Sequence, residues 1–297
     1  MDIPQPTMDI LPTEVDWEQA KRLTYKIHQR FRYEYPAPIR DLRQKLMILP
    51  PLEFGDQTRI AYEFDVSQPH EIAVRLDPFL NTVLDVRVPR VEAAIDFELS
   101  VTVQRSQPLA PRLLAAGWLS DERLLRPTER TAPDARLRAA AADLARGKAS
   151  ALDLALQANS WVHHAISYSF GVTTIHTTAA EALEGGVGVC QDYAHVLLTI
   201  LRLLGLPCLY VSGHMLGEGG THAWVEVLLP AADGSGRAEA WPLDPTHDSR
   251  AGLKYVSIAA GRDYGDVAPT SGSYRAAFSG NLLSRKQVKL TDVAYAL

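Results

Sequence analysis

Cysteine is nearly absent. Cys190 and Cys208 are the two thiols in a chain of 297 residues, too few for a disulfide framework, so a reducing cytoplasm is the expected setting. Basic charge is not in excess either. Thirty Lys and Arg stand against 35 Asp and Glu, a formal net charge of -5, and no basic run or aromatic-basic stripe occurs, which leaves no electrostatic case for a nucleic-acid partner. Long apolar runs are also missing. The most apolar stretch, Val196 to Leu206, is short and broken by Arg202, so no membrane association is expected. Met1 to Trp17 carries Asp2, Asp9, Glu14 and Asp16 without an apolar h-region, unlike a secretory signal. The chain contains no Asp-x-Asp-x-Asp-Gly loop for calcium and no His-x-x-x-His or Cys-x-x-Cys pair for zinc, so no metal and no cofactor is expected. There are no internal repeats and no low-complexity segments. What remains, 46% hydrophobic and 22% charged residues, is the composition of an ordinary globular protein, at a length that calls for two domains.

The first of these domains reads as strands. Leu23, Tyr25, Ile27, Phe31, Tyr33 and Tyr35 alternate with Lys26, His28, Arg30, Arg32 and Glu34, the period of a half-buried strand. The same period returns in Ile60 to Val66, Leu84 to Val88 and Ile95 to Val103, with turn clusters at Pro36 to Pro38, Pro50 and Pro51, Phe54 to Asp56, and Gln68 and Pro69 between them. This pattern predicts an antiparallel β-sandwich or barrel over residues 13–106. Residues 107–133 read as a connector with short helical hints. Beyond it, Asp134 to Arg146 and the stretch from Ser150 have helical spacing, and strands follow Pro207 at Cys208 to Gly213, Thr221 to Leu229 and Glu239 to Asp244. The second domain, 134–297, is thus expected to be α+β.

Its central stretch runs from Gly185 to Gly205. A glycine-rich approach delivers Cys190 to the start of a helix that is apolar on nearly every side and ends at Gly205 and Pro207, so this helix belongs inside a domain. Free N–H groups and the positive end of the helix dipole favour a thiolate at its start. His222 opens the strand His-Ala-Trp-Val-Glu-Val, and Asp244 closes the strand Trp-Pro-Leu-Asp before Pro245. A thiol nucleophile needs a base, and the base needs an acceptor that fixes its tautomer; Cys190, His222 and Asp244 supply those three parts. A zinc site built from the same three residues is the chemical rival, without the paired-ligand spacing that would support it.

Blander readings apply nearby. Cys208 lies in an apolar strand and reads as core packing, Asp192 as a first-turn carboxylate suited to the dipole, and His195 as an interior histidine. Trp224 either walls a cleft beside His222 or fills the core. His214 and the Gly217 to Gly220 loop read as a glycine-rich hairpin, with a mobile lip as the alternative, and His163, His164 and His176 as facing solvent.

The segments Gly-Val-Cys-Gln-Asp-Tyr-Ala-His, Leu-Gly-Leu-Pro with Tyr-Val-Ser-Gly, His-Ala-Trp-Val-Glu-Val and Asp-Pro-Thr resemble the core of the bacterial transglutaminase-like cysteine enzymes. Gly261 to Pro269 resembles that family's tail, and the alternating N-terminal region is similar to the β-rich domain that precedes its core. The resemblance implies a papain-like fold with Cys190 as nucleophile, His222 as base and then acid, Asp244 as its orienter, and the Cys190 N–H in an oxyanion hole. Gln191 and Trp224 are the implied substrate-binding positions. Papain itself is a poorer match, because only thirty-two residues separate Cys190 from His222. Two departures stand out: His247 follows Asp-Pro-Thr where asparagine is more usual, and Cys208-Leu209 replaces Ala-Arg. The activity implied is attack on peptide or glutamine-type amide bonds through a thioester, with hydrolysis (a peptidase or amidase) expected over transfer to an amine (a transglutaminase). A non-catalytic binding module on this fold is the remaining alternative. The partner is a peptide or protein substrate; the oligomeric state is not legible.

Overall fold

The computed structural model describes residues 9–107, 110–147, 149–218 and 220–296. Residues 1–8, with Asp2 among them, lie outside the described residues, as do positions 108, 109 and 219 within the predicted connector and hairpin. The N-terminal half supplies strands β1 (Arg22–Glu34), β2 (Ile39–Leu46), β3 (Glu53–Phe54), β4 (Gln57–Val66), β5 (Glu71–Leu76), β6 (Thr82–Val91) and β7 (Ala94–Ser106). Strict alternation in β7 buries Ile95, Phe97, Leu99, Val101 and Val103, the period-two pattern seen in its sequence. In β1 the inner face also takes Gln29, whose amide donates to the Ile48 carbonyl at 3.3 Å. Ile60 and Tyr62 of β4 depart from the expected pattern and are exposed. A bulge between Arg59 and Ala61 breaks the register with β7 at that point.

These strands form two sheets, not a barrel. With β15 (Thr270–Arg275) and β16 (Asn281–Ala294) from the end of the chain, one has the order β16-β1-β7-β4-β3 and the other β15-β2-β6-β5. Leu23, Ile27, Phe97 and Leu99 of the first meet Ile39, Leu46, Leu84 and Val86 of the second in one apolar cluster, which makes the pair a sandwich. The outermost strands come from the far end of the chain: β15 (Thr270–Arg275) pairs with β2, and β16 (Asn281–Ala294) pairs with β1 along its whole length. The boundary expected at 134–297 therefore does not follow the sheets. Residues 270–294 complete the N-terminal sandwich.

The second half is α+β. A five-stranded antiparallel sheet has the order β14-β11-β12-β13-β8, built from β8 (Arg112–Leu114), β11 (Cys208–Met215), β12 (His222–Pro230), β13 (Ala238–Leu243) and β14 (Tyr255–Gly261). The predicted connector thus contributes β8 as an edge strand, followed by two 3-10 turns. Helices α1 (Ala135–Leu144), α2 (Ala151–Ala165), α3 (Ala179–Gly185) and α4 (Cys190–Leu203) stand between β8 and β11, and a last turn, α5 (Tyr264–Val267), follows β14. Between α2 and α4 two short strands, β9 (Ser167–Tyr168) and β10 (Val187–Gly188), pair in parallel.

Side-chain chemistry sets these helix starts. Asp134 caps α1 by accepting from Leu137 N, and Ser150 caps α2 by accepting from Asp153 N. Helix α4 is buried from Gln191 to Arg202, as its all-round apolar sequence requires. It packs on the face of β12 carrying Ala223, Val225 and Val227, while Trp224 and Leu228 point into a second cluster across the sheet. Among the described residues no helix is long and apolar enough to cross a membrane.

Candidate active site

Helix α4 begins at Cys190. The preceding residue, Val189, has no side chain able to cap a helix, and the Asp192 carboxylate reaches back to the Val189 N–H at 2.8 Å instead. Asp192 is fully buried and also accepts from Thr173 Oγ1 at 2.6 Å; burial raises its pKa. It is a structural cap, in keeping with its place in the first turn. Cys190 sits at the first helical position, where no intrahelical carbonyl is within reach of its N–H. Its thiol is partly exposed and points toward the Thr221 carbonyl, 4.0 Å away.

Strand β12 delivers His222 to the same place. Pairing of β11 with β12 sets His222 opposite Gly213, and the imidazole lies stacked over Trp224 with ring centroids 6.2 Å apart. Position 213 has to be glycine: a Cβ there would come within 2.1 Å of the Val256 carbonyl and 2.6 Å of the Trp224 ring. Trp224, 1% exposed, also packs edge-on against Tyr255. It belongs to the apolar cluster on the side of the sheet away from α4, so of the two readings of Trp224, cleft wall or core, the position is a core one.

The turn after β13 completes the cluster. Asp244 is fully buried, and its Oδ2 accepts from His222 Nε2 at 2.7 Å, His247 Nδ1 at 2.9 Å and the Tyr255 hydroxyl at 2.8 Å. Oδ1 accepts from the Thr246 N–H at 2.8 Å. Burial pushes the Asp244 carboxyl up, but the donors on it, His222 first, hold it well below the usual carboxylate range. For His222, burial alone would lower the imidazole. Hydrogen bonds to Asp244, Cys190 and Glu218 outweigh that and raise it far above its ordinary value. The ring is therefore poised as an imidazolium bonded to the Asp244 carboxylate.

Donors of His222, Asp244 and His247 lie within 4.8 Å of one another, close enough to raise the question of a metal. They are in direct hydrogen-bond contact. Tetrahedral zinc holds its ligands about 2.0–2.2 Å away and so roughly 3.3 Å apart, which contacts of 2.7 and 2.9 Å do not leave room for. This arrangement suits proton transfer better than metal ligation.

Around Cys190 runs a loop tied down at three points. Ser169 N donates to the Gly188 carbonyl, Thr173 to Asp192, and the Gln191 side chain to the Thr174 carbonyl. It holds Phe170, 89% exposed, and the exposed Tyr168, Val172 and Ile175 at the rim. Gln191 accordingly serves as the anchor of this rim.

Residues 138–241 match the Transglutaminase-like superfamily and residues 25–104 the bacterial transglutaminase-like N-terminal region. An uncharacterized protein of Mycobacterium leprae is 32% identical over 213 residues, which cover 65% of this chain and 72% of that one. The chain belongs to the transglutaminase-like superfamily. An uncharacterized protein of Mycobacterium tuberculosis is 39% identical over 124 residues, spanning 38% of this chain and 39% of its own length. A solved protein from Cytophaga hutchinsonii, proposed to be a cysteine protease, superposes with a TM-score of 0.74 over 93% of both chains at 18% identity, a likeness of fold.

Several residues of this superfamily member escaped the sequence. Tyr255 opens β14 with nothing to mark it as a partner of Asp244. Glu218 stands four residues before His222, a carboxylate beside an imidazole, and that spacing was the available signal. His163 does not face solvent: its Nδ1 meets the Thr246 carbonyl at 3.0 Å and braces the Asp244 turn from α2. His214 is buried in β11, held neutral at a pKa burial lowers to about 4. His195 is interior, as expected; burial drives it down to about 3, and its Nε2 accepts from Tyr264 N. Cys208 is fully buried, and burial pushes its thiol up to about 11, which leaves it inert.

Proposed function

We propose that the chain is a cysteine hydrolase of peptide or glutamine-type amide bonds, with Cys190 as nucleophile, His222 as the proton carrier and Asp244 as the group that orients it. The observation that carries this reading is the buried His222 ring, bonded to Asp244 Oδ2 at 2.7 Å, with the Cys190 thiol at the N-terminus of α4 pointing to the carbonyl of Thr221, the residue next to His222, 4.0 Å away. The thiolate attacks the amide carbonyl carbon, and the new C–S bond places negative charge on the carbonyl oxygen. Unpaired N–H groups of the first helical turn, that of Cys190 first, are placed to meet that charge. As the C–N bond breaks, the His222 imidazolium gives its proton to the departing amine, and a thioester remains. The imidazole then takes a proton from water, the hydroxide adds to the thioester carbonyl, and the thiolate leaves.

Water is favoured as the acceptor because Cys190 sits at the surface with partial exposure, where a thioester would be open to solvent. A lysine amine would use the same first half-reaction and give a transglutaminase. The exposed apolar rim of Tyr168, Phe170 and Val172 supports a peptide carrying an apolar side chain next to the scissile bond.

A peptide library incubated with the protein, with and without added amine, tests the assignment. Mass spectrometry should detect an acyl adduct on Cys190 and, without amine, free carboxylate product. Cys190→Ala should abolish both with the fold intact, and Asp244→Ala should lower the rate less than His222→Ala does. Full activity in Cys190→Ala would refute the proposal, and amide product formed in preference to acid would reassign the reaction to amine transfer.

A further inference from the structure

The loop between β11 and β12 places a second carboxylate on the catalytic imidazole. Glu218 Oε2 lies 3.1 Å from His222 Nδ1, and its Oε1 lies 3.5 Å from His247 Nε2. Because Asp244 Oδ2 bonds the other nitrogen of each ring, the four side chains close a cycle in which carboxylates and imidazoles alternate. His222 Nε2 is committed to Asp244. The one nitrogen left for the Cys190 sulfur is Nδ1, and Glu218 is on it.

We propose that Glu218 is a resting-state latch: its carboxylate competes with the Cys190 sulfur for the single Nδ1 proton of His222, and the thiol becomes fully nucleophilic only when the loop draws the carboxylate away. This rests on the reading of Cys190 and His222 as the reacting pair. In the latched form Nδ1–H donates to Glu218; on release the same proton turns to the sulfur, so no proton is gained or lost. A carboxylate on Nδ1 also offsets the positive charge of the imidazolium, the charge that favours a thiolate. Glu218 acts through His222 and is a positioning residue.

The loop is built to let go. Its ends are fixed, by Leu216 N on the Lys254 carbonyl at 2.8 Å and by His214 Nδ1 on the Gly220 carbonyl at 3.3 Å. Between them Gly217 has φ of +96°, and a side chain at either Gly217 or Gly220 would meet nothing within 4 Å, so the backbone there has room to turn. The Glu218 side chain is 36% exposed. Its hydrogen bond to His222 holds it below the usual carboxylate range, so the latch stays charged at neutral pH. Every element packed on the ring contributes to its protonation: Asp244 and His247 from the turn after β13, Tyr255 from β14, Tyr168 from β9, Cys190 from α4 and Glu218 itself.

Alkylation of the full chain by iodoacetamide, followed from pH 4 to pH 9 with Cys190 and Cys208 resolved by peptide mass, reads the latch without any substrate. Glu218→Gln keeps the shape and removes the charge. The pH at which Cys190 reaches half its limiting rate should fall by about one unit, so that below both midpoints the variant labels about tenfold faster. A midpoint that is unchanged or higher overturns the latch while Cys190 still labels ahead of Cys208. If Cys190 labels no faster than Cys208 in either protein, the reacting pair is misassigned and the latch falls with it. A residue with only a structural role would change stability but leave this pH profile where it was.

Discussion

At the scale of single residues, the site is a problem in where protons sit. His222 titrates above its ordinary value of 6.5 despite burial, which opposes the shift, because Asp244, Cys190 and Glu218 all favour the charged ring. A group whose folded pKa lies above its unfolded one contributes stability that is complete below the unfolded value and is lost as pH rises through the folded one. Asp244 is the opposite case. Burial raises it, the His222 and His247 donors pull it below 3.8, and its contribution is present above that value and lost as pH falls through the folded one. Both contributions are therefore whole between about pH 4 and pH 6.5, and stability should decline toward alkaline pH with a slope of at most about 1.4 kcal/mol per pH unit from His222. Thermal melts at pH 6.5 and pH 9 check this. His222→Gln should melt at a lower temperature at pH 6.5 and show a smaller drop between the two, and an undiminished drop would mean the alkaline loss arises elsewhere.

At the scale of elements, one helix terminus and two strand ends converge because each is fixed independently. The start of α4 is set by Asp192 reaching back to Val189, the start of β12 by its register with β11, and the Asp244 turn by the hydrogen bonds to Thr246 and His163. Gly213 is the tightest of these fits. Gly213→Ala would drive a methyl into the Val256 carbonyl and the Trp224 ring, an overpacking cost of about 1–3 kcal/mol or more. Because Trp224 carries the His222 ring, activity should fall by more than the loss of folded protein explains; denaturant titration alongside initial rates would separate the two. Much of this was legible beforehand. Cys190, His222 and Asp244 announce themselves because each lies where a local pattern ends, a helix start or a strand end, and residue chemistry at such points is readable from neighbours. Tyr255 was not, because its role depends on how β14 pairs with β11, and Glu218 showed only as a carboxylate four residues before His222, because the way its loop folds over leaves no local period. Strands β15 and β16 were hidden for the same reason: Asn281–Ala294 finds its partner in β1, some 250 residues away in sequence, and loop closure over that distance has no signature in either strand.

At the scale of the whole molecule, the sandwich is more than an appended domain, because it holds the strand that carries Tyr255. Gln57 of β4 bonds Ser257 through both its N–H and its carbonyl. Asn81, just before β6, does the same to Ala260. Arg105 at the end of β7 is buried, pairs with Asp56 through two hydrogen bonds, and donates to the carbonyls of Gly252 and Tyr255. Tyr255 in turn donates to Asp244 Oδ2 at 2.8 Å, so the β-rich half reaches the Asp244 carboxylate through one arginine and one tyrosine. Arg105→Leu removes the cation from a nearly buried pair, leaves Asp56 unpaired and frees two carbonyls, a loss of about 3–5 kcal/mol. Pairing it with Asp56→Leu removes the uncompensated charge and should recover most of that stability. Activity should not recover with it, because the Tyr255 backbone stays unheld and Asp244 loses a fixed donor. Melting temperature and turnover measured on the single and double variants decide the matter: stability and activity returning together in the double variant would show that the sandwich supports the fold alone, and stability returning without activity would show that it positions Asp244.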